Sequence, residues 1–340
     1  MTVLKAQLAK LAKGLTADPV PAAPATDLTV APSTAADAAA ILRFASEQGL
    51  KVLFWGGGTH QGFGYQVEPD IVMTTSRLNR VVDWQPEDLT VVVEPGLPVA
   101  DLRAMLEQRE QTAVLPENSD GATVGGTVAS GISGWRRLRY GPTRDRVLET
   151  ELVTGDGRVV KAGGRLVKNV TGYDLPRLAT GSFGALGLIT SVCLKLWPLT
   201  VERAMLEVTD PAEALRRAYR PHAVVETNEG TTVYLAGTAA ELTAQAEVIG
   251  GRLIAGHRWP PPLTGSWVLI VRIPPAAVRR FVDLIRASDW PFQAAHGTGE
   301  IRFVVDEKDT PLLDEVRAEA EAGGGRLIVE RASGAAQFDP

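Results

Sequence analysis

Three runs of glycine and small residues offer the clearest chemistry in this chain: WGGGTHQGFG at Trp55–Gly64, PENSDGATVGGTVASGISG at Pro116–Gly134 and ATGSFGALGLIT at Ala179–Thr190. Glycine lets the main chain approach a ligand closely and take up positive φ. Successive N–H groups on such loops form concave sites for anions. Three such runs in one half of a chain predict a large phosphate-bearing ligand gripped mainly by backbone. Gly56, Gly57, Gly58 and Thr59 follow a strand-like segment, as a phosphate loop should. They do not make a P-loop, because no Gly-Lys-Ser/Thr follows. They do not make a Rossmann fingerprint either, since the next segment reads as strand and not as helix. Alone, this loop is equally compatible with an exposed tight turn.

The second run shifts the balance. No charged side chain stands between Gly121 and Gly134, and Val124, Val128 and Ile132 recur at regular intervals. A backbone surface against a flat ligand explains both features; close helix packing through small residues would explain one such patch but not three. WRRLRYGPTRDR (Trp135–Arg146) then carries five arginines. Arg139, beside Tyr140-Gly141, can reach a phosphate, since a guanidinium fork suits that anion. Arg136 and Arg137 read as a solvated basic face or partner contact, with Asp145 as the salt partner within the segment. Lys168–Leu175 reads as a loop that packs on a sheet and orients its neighbours. His222 and His257 read as surface or packing residues.

The elements that must position these loops follow from local pattern. Thr34-Ala-Ala-Asp37 starts a helix in the manner of a capping box, and Ile41, Leu42 and Ala45 share its apolar face up to Gly49. Lys51–Trp55 and Asp70–Thr74 read as strands, giving a helix–strand–loop–strand unit. Thr90–Glu94 is a strand, and Pro98 opens a helix faced by Leu102, Met105 and Leu106. Gly155-Asp156-Gly157 predicts a hairpin turn, and Leu186–Trp197 closes the block with apolar alternation.

Beyond Pro198 the pattern repeats. Strand 204–208, helix 211–219, strands 224–226 and 231–235, helix 239–249 and strand 252–255 are followed by strand 267–273, helix 275–287, strands 292–295 and 301–305, helix 311–322 and strand 326–330. Both copies read β-α-β-β-α-β, and their ends are alike, IGGRLIAG against GGGRLIVE. Two such units predict one antiparallel sheet with helices on one face.

Bulk properties narrow the function. The chain has 340 residues, a net charge of −5, 45% hydrophobic residues and a mean hydropathy of +0.01. These values fit a globular protein with a sizeable core and give no case for nucleic acid or an anionic membrane as the main partner. Cys193 is the single cysteine, so the chain makes no internal disulfide and cannot supply the thiolates of an iron–sulfur cluster. No metal site is expected. No apolar run is long enough to span a bilayer. Leu4, Leu8, Leu11 and Leu15 predict one stripe of a short N-terminal helix, followed by a Pro/Ala connector.

GGGT, ATVGGTVASG, RYGPTRDRVLETELVTGDGRVV, GGRLVKNVTGYDL and ATGSFGALGLIT occur in the order found in the vanillyl-alcohol oxidase/para-cresol methylhydroxylase (PCMH) flavoproteins. The resemblance covers roughly 32–198. Within that family the chain most resembles the FAD-binding, E-type subunits of bacterial glycolate oxidase, through SGWRR and GSFGALG; most relatives have glutamate where this chain has Phe183.

The resemblance implies an α+β fold: a two-subdomain PCMH-type FAD-binding domain over 25–200, then an α+β, duplicated ferredoxin-like cap domain over 201–335 that supplies the substrate site, with an N-terminal helix and linker over 1–24. It implies FAD, with Gly56, Gly57, Gly58 and Thr59 cradling the pyrophosphate. Thr123, Gly125, Gly126, Ala129, Ser130 and Gly131 would line pyrophosphate, ribityl and ring, and Ile189 would meet the cofactor through its backbone. His60 is placed to tempt a covalent flavin bond, but family members with that bond put the histidine directly after the glycines, and here Thr59 intervenes. Non-covalent FAD is therefore expected.

His296-Gly297-Thr298-Gly299 resembles a degenerate form of the His-x-Gly-x-Gly segment of the larger subunit. His296 is accordingly the expected base for a 2-hydroxy acid such as glycolate or D-lactate, with Arg302 or Arg272 clamping the carboxylate. Electrons would pass to partners, a larger FAD-binding subunit and an iron–sulfur subunit. The alternative is a non-catalytic electron-relay or assembly subunit. The expected location is cytoplasmic, with any membrane attachment peripheral and made through partners.

Overall fold

The computed structural model describes residues 20, 23, 24, 26, 28–63, 67–117, 120–165, 173–199 and 202–332. The N-terminal leucine stripe and most of the Lys168–Leu175 loop lie outside the described residues. The chain divides into two units: Met1–His60, Gln66–Ser133 and Pro142–Leu199 form the first, and Gln61–Tyr65, Gly134–Gly141 and Thr200–Pro340 the second.

The first unit contains two larger sheets. Strands β1 (Thr29–Val30), β2 (Val52–Trp55) and β3 (Ile71–Thr74) pair in parallel in the order β1-β3-β2. Helix α1 (Ala35–Glu47) buries Ala38, Ile41, Leu42 and Ala45 against this sheet's core of Val30, Ile71 and Met73. Its start obeys the local chemistry: Thr34 Oγ1 accepts from the Asp37 N–H at 3.1 Å, while the Asp37 carboxylate reaches back to the Ser33 N–H at 3.1 Å. The second sheet is antiparallel, β4 (Val81–Gln85), β5 (Thr90–Val93), β9 (Leu188–Lys195), β7 (Val147–Val153) and β8 (Val159–Gly163) in that spatial order. The β7–β8 turn uses Gly157 at φ +76, as the Gly-Asp-Gly spacing predicts. Helix α2 (Val99–Glu107) starts after Pro98 and buries Leu102 and Leu106. A short pair, β6 (Gln111–Thr112) with β10 (Trp197–Pro198), completes the unit.

The middle glycine run is helical. α3 (Val124–Ser130) is capped by Thr123, whose Oγ1 accepts from the Gly126 N–H at 3.2 Å, and ends at Gly131 with φ +68. Val124 and Val128, one turn apart, are fully buried in the core with Val93, Val192 and Leu194. The regular spacing in the sequence is thus a helix period, and close helix packing explains part of the small-residue pattern: a Cβ on Gly125 would lie 2.3 Å from Pro95 Cβ. One further helical turn, α4 (Leu175–Ala179), follows Asp174, which caps it through the Arg177 N–H.

The second unit is built from two β-α-β-β-α-β copies. The first comprises β11 (Glu202–Val208), α5 (Pro211–Arg217), β12 (Ala223–Thr227), β13 (Gly230–Gly237), α6 (Ala239–Ile249) and β14 (Arg252–Ala255). The second comprises β15 (Trp267–Arg272), α7 (Val278–Ala287), β16 (Phe292–His296), β17 (Glu300–Val305), α8 (Leu313–Ala322) and β18 (Arg326–Ala332). Their strands merge into one eight-stranded sheet, β14-β11-β13-β12-β16-β17-β15-β18, antiparallel at every pairing. The order is 4-1-3-2 in the first copy and 2-3-1-4 in the second, so the copies meet at β12 and β16.

Strand alternation divides this sheet into two faces. Leu206, Val224, Val233, Leu269, Ala294, Ile301 and Phe303 pack against apolar residues of α5–α8, among them Ala214, Leu242, Phe281 and Val316. Ala223, Val225, Tyr234 and Ala295 point the other way and form a separate cluster with Trp135. We call the first the helical face and the second the open face.

Candidate functional site

In the first unit the three glycine runs converge. A Cβ on Gly57 would fall 1.7 Å from the Gly121 carbonyl oxygen, and one on Gly56 would fall 2.4 Å from Thr123 Oγ1. Gly58, at φ +74, lies against the Trp55 ring. The loop after β2 is therefore pressed onto the segment that opens α3, and only glycine permits the approach. At the other end of α3 the Gly181 N–H donates to Val128 O at 3.0 Å and the Phe183 N–H to Ala129 O at 2.8 Å. Gly131 lies with its missing Cβ 3.0 Å from Gly181 Cα. Phe183 itself is exposed and holds φ +51, a left-handed conformation rare for a bulky residue.

The open face of the second unit carries a charged cluster. Glu300 accepts from Arg302 at 2.8 Å and from Arg272 at 3.1 Å, with Arg137 at 3.9 Å. Glu330 lies 3.4 Å from Arg302, whose guanidinium stands 5.9 Å from the centre of the Trp135 ring. Burial raises the Glu300 pKa, but the charges of Arg302, Arg272 and Arg137 outweigh it and hold the carboxyl below the usual glutamate range.

A second cluster is aromatic. Tyr234 stacks on Trp259 with centroids 4.2 Å apart, and His257 meets both rings edge-on. His257 Nε2 lies 2.7 Å from Leu235 O. His222, at the bend before β12, contacts His257 and places Nε2 3.3 Å from the Tyr140 hydroxyl. His222 is buried, and its Nδ1 has no hydrogen-bond partner. Such an orphan costs about 1–3 kcal/mol. Burial, then His257 and the charges of Arg136 and Arg203, press its pKa down to about 3, so the ring is neutral near pH 7.

His296 stands elsewhere. It is buried, and its Nε2 lies 2.6 Å from Glu226 Oε2, while Glu226 Oε1 accepts from Arg286 on α7 at 2.7 Å. Burial raises the Glu226 pKa, yet the hydrogen bonds from His296 and Arg286 prevail and lower it. Ala294 pairs with Ile301 and Gln293 with Arg302. His296, two residues beyond Ala294, shares the helical face, whereas Arg302 points from the open face.

Residues 26–163 match the FAD binding domain family. Residues 26–163 form an FAD-binding domain of the PCMH type. The glycolate oxidase subunit GlcE of Escherichia coli is 32% identical over 53% of this chain and 54% of its own length. The glycolate oxidase subunit GlcD of Bacillus subtilis is 34% identical over 51% of this chain and 37% of its own, and a D-lactate dehydrogenase of Archaeoglobus fulgidus is 30% identical over 68% and 51%. The matches thus span about a third to a half of these relatives. Two structures of alkyldihydroxyacetonephosphate synthase share the fold, with TM-scores of 0.61 and 0.62 over 89% of this chain and 73% of theirs, at 15% and 16% identity.

FAD is the cofactor, and the loops of the FAD-binding domain fit it. Among the described residues, the N–H groups of Gly56, Gly57, Gly58 and Thr59 meet no acceptor within the chain, as a pyrophosphate cradle requires. Not every expected contact residue offers the same thing. The Gly125 N–H is spent on Pro95 O at 2.7 Å and the Gly126 N–H on Thr123. Gly125 and Ser130 are buried, and the Ser130 hydroxyl donates to Thr127 O. Thr123, Gly126, Ala129 and Gly131 keep partly exposed surface. Ile189 is buried on the part of β9 that lies beyond its pairing with β5, which covers only Val192–Lys195. His60 Nδ1 is 2.9 Å from Thr59 Oγ1.

Two expectations need correction. His296 does not share a face with Arg302 or Arg272, because the alternation of adjacent paired strands sends them to opposite faces of one sheet. Asp145 bonds Arg177 at 2.7 Å, outside its own segment. Arg139 lies within the second unit, its guanidinium 5.8 Å from the Tyr140 ring. Sequence reasoning gave Tyr140 and Arg203 no role and read His222 as a surface or packing residue; no motif marks a histidine whose ring nitrogen is left unsatisfied by folding.

Proposed function

We propose that this chain is the FAD-binding subunit of a glycolate oxidase-like oxidoreductase that acts on a 2-hydroxy acid, glycolate or D-lactate, and hands electrons to a larger FAD-binding subunit and an iron–sulfur subunit. Bound FAD would accept hydride from the hydroxyl-bearing carbon. The chain's own contribution is to hold the cofactor through the Gly56–Thr59 amides, without a covalent bond to His60, and to present a cationic open face to a carboxylate. We assign residues 25–200 to cofactor binding and 201–335 to the substrate side, with 1–24 as a separate N-terminal segment, and place the complex in the cytoplasm with membrane attachment only through partners. The observation that carries the reading is the interlocked glycine loops, whose Gly56–Thr59 amides meet no acceptor among the described residues, in a chain similar to GlcE and GlcD.

Anaerobic addition of glycolate or D-lactate to the FAD-loaded chain tests it: the flavin absorbance is expected to bleach. A second reading keeps FAD but removes independent turnover. It is favoured by the separation of His296 from the arginines and by Glu300, which already fills the anion position between Arg272 and Arg302. Bleaching only after addition of the larger subunit would select this reading.

A further inference from the structure

The open face carries arginines in two different states. Arg137, Arg272 and Arg302 each have a carboxylate partner in Glu300 or Glu330. Arg203 is half-buried and has no carboxylate partner among the described residues. It pairs across β11–β13 with Ala236, two residues from the Met205–Tyr234 pair, and so stands on the open face with the Tyr234 aromatic cluster. His222 contacts that cluster through His257 and Tyr140, and it is buried with Nδ1 unpartnered. The charge of Arg203 acts on both His222 and Tyr140.

These facts share one explanation. A neutral imidazole whose Nε2 accepts from the Tyr140 hydroxyl carries its proton on Nδ1. That N–H needs an acceptor, and on the same face as a guanidinium with no carboxylate partner among the described residues the fitting acceptor is an anion. We propose that Arg203, His222 and Tyr140 form a binding site for a small carboxylate on the open face of the second unit. The inference rests on the 2-hydroxy-acid reading for the identity of the carboxylate: the guanidinium and the imidazole N–H take the carboxylate oxygens of the hydroxy acid.

Oxalate, a non-reducing dicarboxylate, is the probe. Titrated into the full FAD-loaded chain by calorimetry, with Trp259 fluorescence as a second readout, it is expected to bind saturably. Arg203→Gln should weaken binding at least about tenfold, and Arg203→Lys should recover part of the loss, since charge is kept and the fork is not. In ¹⁵N-histidine spectra the His222 Nδ1 signal should shift on binding. Tyr140→Phe, which removes one hydroxyl and little volume, serves if Arg203→Gln folds poorly; it should weaken oxalate binding and move the His222 tautomer. Oxalate that fails to saturate, or binds Arg203→Gln and Tyr140→Phe as tightly as the parent, overturns the site. Failure of the parent reading looks different: oxalate would bind in an Arg203-dependent way while no 2-hydroxy acid bleaches the flavin, alone or with the larger subunit. Conversely, glycolate bleaching at equal rates in parent and Arg203→Gln would overturn the site and leave that reading standing.

Discussion

The two units build their candidate sites from different materials. The first uses main-chain amides on loops that only glycine allows to meet, at Gly57 against Gly121 and Gly131 against Gly181. The second uses side chains whose use depends on which face of a sheet they leave, as His296 and Arg302 show. A backbone site declares itself in sequence, because the conformational demand falls on residue type. A side-chain site on a sheet does not, because shifting by one residue along a strand moves a group to the opposite face.

The largest expected effect breaks the backbone half of this contrast. Gly57→Ala forces a Cβ to within 1.7 Å of the Gly121 carbonyl. FAD affinity should fall by at least about a hundredfold, roughly 2.7 kcal/mol, measured by flavin fluorescence. An alanine variant with parental affinity would mean that the loops can part without cost to the cofactor.

His296→Ala sharpens the other half. It removes the partner of a buried carboxylate, so unfolding by urea should show a loss of about 1–3 kcal/mol. FAD content and the rate of any hydroxy-acid bleaching should stay at the parental level. A variant of full stability that no longer bleaches would restore His296 as the base.

Acid brings a smaller, graded effect. Glu226 and Glu300 both have depressed folded pKa values. Their contribution is complete above the unfolded glutamate value of about 4.3 and is lost as pH falls through the lower folded values. Glu226→Gln should therefore flatten the acid limb of the stability profile, as should Glu300→Gln. An unchanged limb would deny that either carboxylate is held by its cations.

The smallest effect tests a feature that belongs to neither site. Thr34→Ala deletes the side-chain cap of α1 and should cost about 1 kcal/mol, visible as a lowered urea midpoint with unchanged FAD affinity.

Much of the architecture was legible. The duplicated β-α-β-β-α-β order, the Gly157 turn and the Thr34 cap each rest on short-range pattern, and each is found where the pattern puts it. α3 was half legible: its apolar spacing was visible, but so many glycines disguised a helix, since glycine weakens helical propensity. The close approach of the Gly56–Thr59 loop to the segment that opens α3 was legible for the reason given above. The pairing of His296 with Glu226 was not, because 70 residues separate them and only the β12–β16 junction brings them together. The orphaned nitrogen of His222 was equally invisible, being a property of what folding fails to supply.

The most direct test of the account is a titration of the cofactor-free chain with FAD, followed by acid precipitation. The account predicts saturation near one FAD per chain and a colourless pellet, with the flavin released to the supernatant. A chain that stays colourless and refuses added FAD would contradict it.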